Sequence, residues 1–157
     1  MTTPISPNFA AGSIVSADDL QALSDLVSLG WVDYTPTLTN ITLGTGGSRF
    51  GRYRWLNANT IAVRIQITLG SDGSFSGTAE VGLPDGVTLD TSVTQIGDCV
   101  ATDSSPFTRD AGTVYMSDST FSRFIFDRTN QTGANASYPW TWASGDVLIA
   151  GGIFETV

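Results

Sequence analysis

From Trp31 onward, apolar and polar residues alternate with a period of two, the pattern of half-buried strands. The clearest run is 60–69. Ile61, Val63, Ile65, Ile67 and Leu69 fall on one side, with Ala62, Arg64, Gln66 and Thr68 on the other. In 48–57, Tyr53 and Trp55 alternate with Arg52 and Arg54. The pattern predicts strands near 33–43, 48–57, 60–69, 75–83, 93–102, 108–117, 120–128 and 145–156. Turn-forming clusters separate them: T-G-G-S at 45–48, N-A-N at 57–59, G-S-D-G at 70–73 and P-D-G at 84–86. Short strands at this spacing predict a mainly β chain, an antiparallel jelly-roll-like β-sandwich over 31–157. The likeness of S-D-G-S-F-S (71–76) to S-D-S-T-F-S (117–122) reflects shared turn composition.

The first 30 residues read differently. Pro4, Pro7 and Gly12 predict an extended arm over 1–15, with Ile5, Phe9 and Ile14 as apolar hooks for a neighbouring molecule. Residues 16–29 predict one short α-helix. Ser16 is a suitable N-cap, Asp18 and Asp19 suit the positive end of the helix dipole, and Val15 with Leu20 fits a hydrophobic staple. Leu20, Leu23, Leu26 and Val27 form one apolar stripe, and Gly30 ends it. A helix this short is marginal alone in water. Its stripe therefore needs a partner, either the β domain or the same helix of other subunits. A small bundle on a symmetry axis is the preferred reading, so that 1–30 attaches or trimerises the chain.

Composition narrows the function. There is no histidine, and all 7 basic residues are arginines, while Glu80 and Glu155 are the only glutamates. Scarce Lys and Glu with plentiful Thr, Ser and Gly favour strands and polar turns over helix. Charged residues make up 14% of the chain, against about 25% in an ordinary soluble domain. Surface hidden against copies of the same chain would explain that deficit, as would a monomer whose surface is coated with Thr and Ser. The net charge of −8 and the lack of a basic tract exclude nucleic acid as a natural partner. No apolar run approaches the ~20 residues of a membrane span. Residues 1–15 lack a cationic, then apolar, secretion leader, so synthesis in a cytoplasm is expected. Cys99, in I-G-D-C-V-A-T, reads as a small buried apolar residue.

No catalytic residue, metal ligand set or cofactor motif stands out. The missing histidine removes a Ser-His-Asp triad, an activated Cys-His pair and any His-dependent zinc site. Asp72, Asp85, Asp103, Asp110 and Asp118 fall in or near turns without a calcium-loop pattern, and turn formation explains them. The sequons N-I-T, N-Q-T and N-A-S matter only along a eukaryotic secretory route. Two groups invite a ligand. Tyr138, Trp140 and Trp142 form Y-P-W-T-W, an aromatic cluster that serves as a saccharide platform, as a cap on the core or as an interface filler. Beside it, T-N-Q-T-G-A-N-A-S at 129–137 supplies amides from Asn130, Gln131 and Asn135 in a polar loop. The second group is Arg52, Arg54 and Arg64, on one polar face if the turn at 57–59 closes a hairpin. That patch suits acidic glycans, an Asp of a neighbouring subunit, or plain solvent.

The segments F-A-A-G-S-I-V-S-A-D-D-L-Q-A-L (9–23), Y-T-P-T-L-T (34–39), G-R-Y-R (51–54) and V-R-I-Q-I-T-L-G (63–70) resemble small tail-fibre or minor tail proteins of tailed phages that infect actinobacteria. The resemblance implies a virion structural protein at the tail tip or capsid surface: a homotrimer with a jelly-roll-like β domain. Its arm would bind other virion proteins, and its distal loops would touch a host surface polysaccharide. No cofactor, enzymatic activity or membrane insertion is implied. The chain has no long shaft, which favours a short tip or a capsid decoration or head-fibre knob.

Overall fold

The computed structural model describes residues 16–18, 20, 30–117, 119–126 and 132–157. The described residues form nine strands: β1 Val32–Tyr34, β2 Leu38–Thr42, β3 Ser48–Asn57, β4 Thr60–Thr68, β5 Ser74–Gly82, β6 Ile96–Asp103, β7 Thr108–Ser117, β8 Thr120–Ile125 and β9 Val147–Glu155. They make one antiparallel sheet in the order β1-β3-β4-β9-β6-β7-β8-β5-β2. The mainly antiparallel β expectation therefore holds.

The single strand expected over 33–43 is two strands. Pro36 interrupts it, because proline offers no N–H to a ladder. The break has a large consequence: β1 and β2 are neighbours in the chain yet lie at opposite edges of the sheet. The link from Tyr34 to Leu38 reaches roughly 14 Å when fully extended. Nine strands laid flat would separate their outer members by about 38 Å. The sheet must curl until its edges meet. At the seam, Gly82 N–H donates to Thr37 O at 2.8 Å, and the Tyr34 hydroxyl donates to Gly82 O at 3.3 Å. Burial there pushes the Tyr34 phenol above its ordinary pKa.

A second device turns the corner. L-G-T-G-G-S (43–48) joins β2 to β3, and L-G-S-D-G-S (69–74) joins β4 to β5. These two matching loops clasp each other. Thr45 N–H donates to Ser71 O at 2.8 Å, Ser71 N–H donates to Thr45 O at 3.0 Å, and Gly70 N–H donates to Leu43 O at 2.7 Å. A Cβ on Gly70 would run into the Thr45 carbonyl, and one on Gly44 into the Ser71 carbonyl. Glycine is required where backbone meets backbone. The pairs β2·β5 and β3·β4 thus bend together as one two-stranded ribbon.

The curl encloses one core. Ile61, Val63, Ile65 and Ile67 of β4 point inward, as the alternation predicted, and meet Phe75, Val81, Val114, Phe121, Phe124, Leu148 and Phe154. Phe121 and Phe154 pack edge to face, with centroids 5.6 Å apart. Cys99 is buried with them, and burial first, then the Asp98 charge, pushes its thiol up to about 12. Ahead of the sheet, Ala17, Asp18 and Leu20 are helical, and Leu20 N–H donates to Ser16 O at 3.1 Å. Leu20 is exposed. Leu23, Leu26 and Val27 of the expected stripe, and the hooks Ile5, Phe9 and Ile14, lie outside the described residues.

Candidate ligand-binding surface

Two regions carry the residues singled out from sequence, and they are built differently. The first is the aromatic segment before β9. Trp142 is only 6% exposed, and its ring stacks on Phe75 with centroids 4.2 Å apart and planes 16° from parallel. Its indole N–H donates to Tyr138 O at 3.2 Å. Trp142 is a core residue, as the core-cap alternative had it, and Phe75 covers the face that a saccharide platform would need. Trp140 is half-buried and tilted against Trp142 at 5.6 Å, while Tyr138 is half-buried beside Phe126 at 6.4 Å.

Asp146 holds this segment in place. It is 1% exposed. Its Oδ2 accepts from the Trp140 indole at 3.1 Å and from Ala143 N–H at 2.9 Å. Its Oδ1 accepts from Ser104 N–H at 2.9 Å and from the Ser104 hydroxyl at 3.1 Å. Four donors compensate the buried carboxylate and tie the β6–β7 turn to the aromatic segment. Asn135 spends its amide locally, accepting from Ser137 N–H at 3.0 Å and donating to Gly133 O at 3.0 Å. Its neighbour Ala134 is fully buried, bonded to Ala79 and Phe124. Asn130 and Gln131 lie outside the described residues.

The second region is the outer face of β3, β4, β9 and β6. The turn at 57–59 does close a hairpin, and Arg52 pairs directly with Arg64 while Arg54 pairs with Ala62. The three guanidiniums gather on one ring. Arg52, Arg54 and Arg64 place their Cζ atoms 5.0, 5.5 and 5.5 Å from the centroid of Trp31. Cation–π attraction to the indole holds the long side chains in place. Three like charges meet around a single aromatic residue, in a chain whose net charge is −8.

Trp31, Arg54 and Arg64 form one wall of a groove of about 450 Å³ that runs across the strands. Leu56, Ile149 and Ile153 add apolar lining, Gly151 lies where β4 and β6 flank β9, and Asp98 stands on the β6 side. The volume lies within the range of small-ligand sites. Ile153 is 65% exposed and Ile149 is 41% exposed. A Cβ on Gly151 would press on the Val63 carbonyl and the Arg64 stem, so glycine keeps this stretch of the groove open.

Sequence reasoning found the arginines but missed Trp31, Ile149, Ile153 and Asp98 as their company. The signal was present in β9. Leu148, Ala150 and Phe154 face the core, yet Ile149 and Ile153 on the opposite phase are apolar too. A strand apolar on both phases carries more hydrophobic surface than one core can take. Elsewhere, Asp103 acts as a turn aspartate, accepting from Ser105 N–H two residues on, and Asp90, which the sequence reading did not single out, does the same with Ser92 N–H; Asp110 lies within β7, and Asp118 lies outside the described residues. Among the described residues no cluster of three potential metal ligands occurs, and no helix is long and apolar enough to cross a membrane. No family model, no curated protein and no solved structure matches this chain.

Proposed function

We propose that the chain is a phage virion structural protein, a trimeric tail-fibre or receptor-binding module that recognises a host cell-surface glycan without cleaving it. The observation that carries this reading is the outer groove. A rigid antiparallel scaffold presents arginines held on an indole beside apolar lining, which is equipment for binding. Its lining includes one carboxylate, Asp98, whereas glycoside hydrolysis ordinarily uses two facing carboxyl groups. The half-buried Tyr138 and Trp140 are a second place for sugar contact. The two-stranded ribbon bent at the glycine clasp supports a jelly-roll-like body. Residues 1–30 would attach the chain to other virion proteins, and several copies on one particle would convert weak single-site affinity into avidity.

Binding of labelled, multimerised protein to susceptible actinobacterial cells tests the reading. Multimers that bind no susceptible strain sink it. Light scattering on the native protein is expected to give about three times 16.6 kDa.

A second reading rests on the exposed Ile96, Ile149 and Ile153. An apolar outer sheet face also suits a capsid decoration or head-fibre protein packed against a shell. Density on the head of isolated particles, rather than at the tail tip, would favour that role.

A further inference from the structure

We infer that the outer groove is selective for a saccharide bearing negative charge, a carboxylate or a phosphodiester, and that the Trp31–Arg54–Arg64 wall receives the anion. The inference rests on the glycan-binding reading and names the class of glycan.

The argument begins with the guanidiniums. Each of the three lies within 5.5 Å of the Trp31 centroid, and the indole is the contact that the structure gives each of them. A contact with an indole uses none of a guanidinium's N–H donors as conventional hydrogen bonds, and its N–H edge fits a carboxylate or phosphate with two parallel hydrogen bonds. The cations also repel one another, and an anion between them relieves that repulsion. A neutral sugar does not.

The surrounding charges set a direction. Asp33 lies opposite Arg52 on β1, beyond the groove lining, and Asp98 stands across the groove on β6. The groove is therefore cationic on the β3–β4 side and anionic on the β6 side. A ligand carrying one anionic group per sugar seats that group at the arginines and keeps neutral ring atoms near Asp98. Between the two ends, Ile149, Ile153 and Leu56 offer apolar surface to the C–H faces of a sugar.

The test is calorimetric titration of the full chain with three probes: tetragalacturonate for the carboxylate source, a glycerol-phosphate oligomer for the phosphodiester source, and neutral maltotetraose. Binding of at least one anionic probe, at least tenfold tighter than maltotetraose and weakening as salt rises, is expected. Arg54→Ala and Arg64→Ala should each weaken that binding about tenfold. Arg109→Ala, on an arginine stacked over Phe107 away from the groove, should leave it unchanged. Equal binding of all three probes, or of none, overturns the inference. Scattering mass read on the same samples covers the rival occupant. A mass above one chain that falls to one chain in Ile153→Asp would show that a second copy fills the groove, and would overturn the inference too. The two readings fail separately: multimers that bind no susceptible strain discard the glycan-binding function, whereas an Arg54→Ala variant that binds susceptible cells as well as the wild type keeps that function and discards this groove.

Discussion

Trp142 and Trp31 are the same side chain in opposite circumstances. Trp142 stacks on Phe75 inside the curl, and its neighbour Trp140 gives its indole N–H to a buried carboxylate that has three other donors. Trp31 lies on the outer face of the sheet under three guanidiniums. In the first region Trp142 and Asp146 are closed off, and their polar atoms are bonded within the chain. The second is open, with three guanidiniums gathered around one outer-face indole. Aromatic density in a sequence therefore does not mark a binding site. The compact Y-P-W-T-W motif sends Trp142 into the interior and leaves Tyr138 and Trp140 half-buried, while one tryptophan and arginines from two strands meet only after folding.

The largest expected effect separates the two rings. Trp142→Ala should destabilise the fold by about 3–5 kcal/mol through the cavity it leaves. Trp31→Ala should cost less than about 1 kcal/mol, the scale of an exposed cation–π contact. Chemical denaturation of both variants measures the difference. Equal losses would mean that Trp31 is structural and would dissolve the contrast.

Asp146 comes next. Asp146→Ala leaves the Trp140 indole, Ala143 N–H and Ser104 donors without their acceptor, and should cost about 3 kcal/mol. Asp146→Asn keeps one acceptor but turns an NH₂ toward donors, so an intermediate loss is expected from the same denaturation curves.

Gly70→Ala tests the corner that shapes both regions. Its methyl meets the Thr45 carbonyl and Gly47 N. Parting the clasped loops should cost about 1–3 kcal/mol, the scale of overpacking. A thermal shift within error of the wild type would show that the clasp is loose.

How much of this was legible in advance follows the range of the signal. Strand periodicity is local, so β4 was read almost residue for residue and its inward set proved to be the core. The break at Pro36 is local too, but its effect is global, because it sends β1 and β2 to opposite edges. The matched L-G-T-G-G-S and L-G-S-D-G-S loops showed only as turns. That they clasp each other depends on backbone approach, which alternation does not encode. The arginine hairpin was visible because β3 and β4 are adjacent in sequence. The groove was not, because Ile149 and Ile153 reach β4 from far along the chain. Asn135, expected to be available, spends its amide on its own turn.

Alkaline pH gives a smaller effect that reports on the interior alone. The Cys99 thiol, whose ordinary pKa is 9.0, is held up to about 12 in the fold. Between those values the unfolded chain has lost the proton and the folded chain keeps it. Stability contributed by the neutral thiol is therefore complete below pH 9 and is lost as pH rises toward 12. Tyr34, whose phenol has an ordinary pKa of 10.0 and is raised by burial, adds to the loss above pH 10. Denaturation midpoints for Cys99→Ala across this range should begin to fall about one unit later than the wild type's. At pH 8 the folded thiol should resist a disulfide reagent until denaturant is added.

The smallest effect is the most pointed, because it asks whether the open region is there for the fold. Arg54 is exposed, and its neighbours on the Trp31 ring are cations. Arg54→Gln gives up a weak cation–π contact and relieves repulsion from Arg52 and Arg64, and these terms oppose each other. Stability should stay within about 0.5 kcal/mol of the wild type. Salt distinguishes the terms, since it screens the repulsion and leaves the stacking. Added salt should therefore stabilise the wild type more than Arg54→Gln, measured as the change in denaturation midpoint for each. A loss above about 1 kcal/mol, unaffected by salt, would make the arginines part of the scaffold, as Asp146 is. A near-zero loss with the expected salt response would mean that folding alone does not account for three guanidiniums on one indole, leaving binding to explain them.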